Sequence, residues 1–187
     1  MNMDHLHRRD IFRIIGGTLA AEALDAQHQH PAASSGGAPK DYRPRFFSET
    51  EYQAVSELCE LLIPADDSPG ARDAGVPWYI DTVLLYSDAS RQTNWRHNLK
   101  AIDQATQTQF GKTFVNCPPE HRVKIMEMLA KNEGDPQTPL EQFFADFKPT
   151  TIEAFSLSEV AMKHYFGYRG NTELSDFPGC RPGEIEG

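Results

Sequence analysis

Cysteines, histidines and paired carboxylates are where chemistry would begin in this chain, and their spacing closes off most of it. Cys59, Cys117 and Cys180 form an odd set with no two near each other. That spacing excludes a Cys-x-x-Cys redox pair, a zinc ribbon and a Cys-x-x-Cys-His haem site. Among the seven histidines, His97, His121 and His164 fall singly on separate predicted helices. The Glu-x-x-His repeat that holds two irons in a helical bundle does not occur. Asp66 and Asp67 are adjacent in a turn, so their carboxylates point apart and are expected to brace the turn or cap the next helix. Nothing reads as GxGxxG between a strand and a helix, as a GxSxG elbow or as a phosphate loop. The sequence therefore predicts no catalytic, cofactor-binding or metal-binding residue.

Two features remain that could act on other chains. Cys180 lies in the Pro/Gly-rich run Phe177-Pro178-Gly179-Cys180-Arg181-Pro182-Gly183 and is the thiol best placed for an intersubunit disulfide. The alternative is three free thiols, with Cys59 buried on a helix face. At the other end, Arg8-Arg9-Asp10-Ile11-Phe12-Arg13 resembles a twin-arginine export signal, with Arg8 and Arg9 as the pair and Ile11 and Phe12 as the apolar positions. A moderately apolar stretch, Ile14 to Ala21, follows, and Ala21-Glu22-Ala23 is a small-x-small cleavage candidate interrupted by an acid. A short basic helix opening a cytosolic protein is the competing reading. The polar run that follows favours export, since Gln27 to Lys40 cannot bury enough apolar surface to order itself. The signal implies a periplasmic location and the twin-arginine translocase as a partner.

The elements that must position everything else are helical. The 187 residues suffice for one domain with a real core. The modest 39% hydrophobic content means a few well-patterned helices, helped by a partner interface. The net charge of −9, from 18 basic and 27 acidic residues, disfavours nucleic acid as a partner. No apolar run approaches the roughly 20 residues that span a bilayer. Ser48 and Glu51 form a capping box before Tyr52, Val55, Leu58, Cys59, Leu62 and Ile63, and Pro64 ends that helix. Pro64 to Ala71 is turn chemistry, and Gly75-Val76-Pro77 restarts a helix whose buried face takes Ile80, Val83 and Leu84, with Tyr79 and Tyr86 as candidates.

A third helix runs from about Arg91 to Phe110 on Trp95, Leu99, Ile102 and Ala105, with Gly111 as its cap. A fourth opens at Pro118-Pro119-Glu120 and buries Val123, Met126, Leu129 and Ala130. Thr138-Pro139-Leu140-Glu141 repeats the capping box before Phe143, Phe144 and Phe147, which together with Phe155 read as core. Pro149 is expected to bend or interrupt that helix, and the run Ser156 to Glu159 to cap a short last one ending at Gly167. Tyr165, Phe166 and Tyr168 are candidates for docking a partner. The fold class is all-α: a signal segment over 1–26, a disordered linker over 27–45, a single domain of about six helices over 46–179 and a tail over 180–187.

The run Leu61-Leu62-Ile63-Pro64-Ala65-Asp66-Asp67-Ser68-Pro69-Gly70-Ala71-Arg72-Asp73-Ala74-Gly75-Val76, followed by Ile80-Asp81, resembles the gluconate 2-dehydrogenase subunit 3 family. So does the ending, Gly167-Tyr168-Arg169-Gly170-Asn171 with Phe177-Pro178-Gly179. The resemblance implies a non-catalytic small subunit of a periplasmic sugar or polyol dehydrogenase, membrane-associated through its complex. FAD would sit in a large subunit of the glucose-methanol-choline type, often with a multihaem cytochrome c as third component, and this chain would hold no cofactor. It would carry the export signal and support the large subunit's export, maturation and stability. Pro64, Asp66, Pro69, Gly70, Ala71, Gly75, Gly170, Asn171, Pro178 and Gly179 are the motif positions expected to meet that partner. The competing function is a free-standing periplasmic helical binding or metal-binding protein, which would gather ligands inward.

Overall fold

A computed structural model describes residue 39 and residues 41–170. Among these are six α-helices: α1 (Glu49–Leu62), α2 (Val76–Leu85), α3 (Ala89–Phe110), α4 (Pro119–Ala130), α5 (Pro139–Ser156) and α6 (Glu159–His164). One 3-10 turn, Phe114–Asn116, links α3 to α4, and no strand occurs among the described residues. The leader with Arg8, Arg9, Ile11 and Phe12, and the tail with Asn171, Pro178, Gly179 and Cys180, lie outside the described residues.

Local chemistry sets the helix ends. Both capping boxes form, Ser48 with Glu51 and Thr138 with Glu141. Each satisfies a free amide at a helix start and returns a carboxylate to the cap's own N–H. Gly111 ends α3 with φ +71°, the left-handed conformation that a Cβ disfavours. α3 begins two residues before the expected start, because the Asp88 carboxylate accepts from the Arg91 amide.

α5 is the central helix, packed against α2, α3, α4 and α6. It continues through Pro149 to Ser156, so the expected interruption does not occur. The physical reason is burial on both sides of the proline: Phe147, Thr151, Ala154 and Phe155 are all inside, and the Thr150 hydroxyl donates to the Asp146 carbonyl at 2.8 Å. The missing amide and the ring's crowding of the preceding turn, about 3 kcal/mol together, are offset by burial of that face. α6 stops at His164, short of Gly167.

Two expected core residues are outside. Val123 is 42% exposed and Ile125 fully buried in its place, two positions along a helix being about 200° apart around its axis. Tyr86 is 75% exposed, because α2 ends at Leu85 and the chain turns there toward α3. The centre of the core is a slab of rings. Trp95 meets Phe143 edge-on at 5.1 Å between centroids and lies 6.0 Å from Phe147 and 6.2 Å from Phe47. Its indole N–H donates to Asp146 Oδ2 at 3.0 Å, so the one polar atom of a buried tryptophan is satisfied.

Candidate functional site

The loop between α1 and α2 is held by more directional bonds than any other connection among the described residues. Glu60, in the last turn of α1, accepts from the Ala65 amide at 2.7 Å with one carboxylate oxygen and from the Arg72 amide at 3.1 Å with the other. Asp66 Oδ1 accepts from both the amide (2.9 Å) and the hydroxyl (2.8 Å) of Ser68. Asp73 accepts from the Gly70 amide at 3.2 Å, and the Ala71 amide donates back to the Ile63 carbonyl at 2.9 Å. Asp66 thus braces the turn as its type and place suggest.

Glycine is required at position 70 by space. A Cβ there would lie 2.5 Å from the Ala65 backbone nitrogen and 2.6 Å from a Glu60 carboxylate oxygen. Gly75 takes φ +72° and starts α2, which no β-carbon-bearing residue does cheaply. Behind the loop, the Glu57 carboxylate bridges Arg72 at 2.6 Å and Arg122 of α4, whose Nε donates to the Cys117 carbonyl. The Tyr165 hydroxyl donates to Ser68 Oγ at 2.6 Å, tying the end of the helical body to the loop.

The motif therefore divides. Pro64, Ala65, Asp66 and Asp67 are exposed and Pro69 is half-buried, whereas Gly70, Ala71 and Gly75 are buried. Gly70, Ala71 and Gly75 shape the loop from inside; Pro64, Asp66 and Asp67 form its outer face. Gly170 is exposed with φ +93°.

Four carboxylates organise this region: Glu57 and Glu60 lie outside the motif, while Asp73 and Asp81 lie within it without being marked as site residues. Asp81 is fully buried on α2, and its carboxylate accepts from the Tyr42 hydroxyl at 2.5 Å and from the amides of Arg45, Phe46 and Phe47 at 2.9 to 3.3 Å. It fixes the approach to α1, while Arg96 seals the same segment by donating to the Phe46 carbonyl at 2.7 Å with its guanidinium 4.4 Å over the Phe46 ring. Glu60 had one legible signal: an acid in the last turn of a helix opposes the dipole and needs another partner. Asp81 stood in the motif, but nothing near it names its role, since its partners lie 34 to 39 residues away.

Burial pushes the Cys59 thiol up to about 12, and Cys117 is also buried. Tyr42 and Tyr52 are both raised to about 12, by burial first, then for Tyr42 by its hydrogen bond to Asp81 and for Tyr52 by the Asp81 charge. No three His, Cys, Asp or Glu side chains converge as a metal site among the described residues. No helix among them is long and apolar enough to cross a membrane.

Fold and site together define a small all-helical protein whose most firmly braced surface element is a loop with an acidic outer face. The family model described as Gluconate 2-dehydrogenase subunit 3 matches residues 49–178, which takes in all six helices and the loop. The chain belongs to the gluconate 2-dehydrogenase subunit 3 family. No curated protein and no solved structure matches it.

Proposed function

We propose that this protein is the small accessory subunit of a periplasmic FAD-dependent sugar or polyol dehydrogenase and that it does no chemistry itself. In this reading a large subunit of the glucose-methanol-choline type holds the flavin, and a multihaem cytochrome c takes the electrons onward. The observation that carries it is the α1–α2 loop of a family named for a dehydrogenase subunit: its carboxylates Glu60, Asp66 and Asp73 are all spent on backbone amides, holding Pro64 to Asp67 outward in one conformation. A surface loop fixed in advance loses little entropy on docking, which favours a stable complex. Pro64, Asp66 and Asp67 are the contacts from this loop, with Gly70, Ala71 and Gly75 acting only through its shape.

The leader gives the second half of the role. With the pair Arg8-Arg9 ahead of Ile11 and Phe12, this chain would recruit the twin-arginine translocase and carry a folded partner across with it. Cys180 is available for a disulfide to that partner once outside. The test changes both arginines to lysine in the full chain and follows the large subunit by its flavin and by fractionation. Retention of the flavoprotein in the cytoplasm is expected. Undiminished export of it would end the carrier role, and recovery of the unaltered chain without any flavoprotein would end the complex.

A further inference from the structure

Six large apolar side chains are exposed among the described residues, and three of them fall at the two ends of α6. Leu157, just before its first turn, is 63% exposed, and Phe166 and Tyr168, just after its last, are 53% and 43% exposed. The others, Tyr86, Val123 and Met128, lie apart from these, after α2 and along α4. A helix of six residues is only about 9 Å long, so its two ends share one side of the molecule. Tyr165 brings the far end back to α5, its ring meeting Phe155 edge-on at 5.5 Å.

The backbone does not run straight on from this helix. The Phe166 amide donates to the Ala161 carbonyl at 3.1 Å and the Tyr168 amide to the Met162 carbonyl at 2.8 Å, while Gly167 takes φ +65°. A left-handed glycine at a helix end folds the chain off the axis, and here it returns beside α6. The described residues end at Gly170, again left-handed at φ +93°, so residues 171–187 set out from this apolar surface.

The family match omits everything before residue 49 but continues past Gly170 to residue 178. Residues 171–178, unlike the leader, therefore belong to the family's domain. They read Asn171-Thr172-Glu173-Leu174-Ser175-Asp176-Phe177-Pro178, with Leu174, Phe177 and Pro178 as the apolar side chains. Fully extended chain from Gly170 carries Phe177 at most roughly 25 Å, which spans α6 with slack. We propose that the chain's own tail, residues 171–178, lies back across α6 with the Phe177 ring on the apolar surface made by Leu157, Phe166 and Tyr168. A tethered segment acts at an effective concentration on the order of millimolar, an advantage that neither a second copy nor a separate partner has. Pro178 confines Phe177 to extended backbone, so less freedom is lost when the ring packs. Because the Tyr165 hydroxyl donates to Ser68 Oγ, cover over α6 also steadies the α1–α2 loop. Pro178, one of the motif positions expected to meet a partner, then acts inside the chain. This contact stands whether or not the subunit role does.

The experiment places a diazirine-bearing amino acid at position 157 of the full chain, purified with whatever accompanies it, and maps the products by mass spectrometry. Expected is a cross-link within one chain, into residues 171–180. A cross-link to a second copy or to a flavoprotein, or no product in 171–180, overturns the proposal. In parallel, Phe177→Ser should raise hydrogen exchange of the amides over 157–168 by about tenfold, while Phe177→Leu keeps them protected. Unchanged exchange in Phe177→Ser also overturns it. Should the serine variant lose its helical circular dichroism, the cross-link at position 157, made with Phe177 in place, still decides.

Discussion

The ring slab on α3 and α5 and the loop between α1 and α2 are both rigid, but by different physics. Around Trp95 the holding force is burial: Phe47, Phe143 and Phe147 exclude water, and one hydrogen bond to Asp146 disposes of the indole N–H. In the loop there is little apolar area to bury, and the shape comes from carboxylates accepting specific amides. Burial is proportional to area and indifferent to direction, so the slab tolerates changes of shape that keep volume. A hydrogen-bonded turn depends on placement, so one methyl group in the wrong spot is enough to move it. The rigid element exposed to other molecules is built by the second means.

The difference can be attacked at both ends. Trp95→Ala should have the largest effect, about 3–5 kcal/mol by urea unfolding of the full chain, because it removes a fully buried indole and leaves a cavity. If Trp95→Ala cost less than a loop substitution, burial would not be what holds the centre. Gly70→Ala comes next, at roughly 1–3 kcal/mol, since the Ala65 backbone must shift to admit the methyl group. Its sharper signature is a loss of affinity for the large subunit greater than the loss of stability explains. An unchanged complex would mean that the loop's shape is not what the partner reads.

The smallest effect is expected where the two regions meet. Tyr42→Phe deletes the hydroxyl that donates to Asp81 and should cost about 1 kcal/mol near neutral pH, the tyrosine being only partly buried. The raised Tyr42 pKa gives the sign of its pH dependence. Its contribution is fully present below the ordinary value of 10 and is lost as pH rises through about 12, where phenolate would face carboxylate. Unfolding midpoints of the two proteins should therefore stay apart below pH 10 and converge by about pH 12. A gap that stays constant over that range would show that Tyr42 keeps its ordinary pKa in the folded protein.

What could be read in advance follows the range of each interaction. The capping boxes at Ser48 and Thr138, the stop at Gly111 and the turn at Pro64 to Ala71 are decided within a few residues, and the structure carries all of them. Val123 was misplaced because which side of a short helix faces inward depends on the neighbour it meets, and Tyr86, a candidate for the core, lies outside because α2 ends one residue before it. Pro149 does not interrupt α5 for the related reason that the rings beside it, not the backbone bond it lacks, decide whether the helix continues. The motif pointed to the right loop but did not separate its buried frame from its exposed face.

The linear order of residues was sufficient for the helical class, the capped helix starts at Ser48 and Thr138, the stop at Gly111 and membership of the gluconate 2-dehydrogenase subunit 3 family, because periodicity, caps and turn residues act locally and survive in one dimension. Only the folded chain decided that Glu60 and Asp81 organise the loop and the entry to α1. Those arrangements join residues that are apart along the backbone, and nothing in their local surroundings records which amide they will meet.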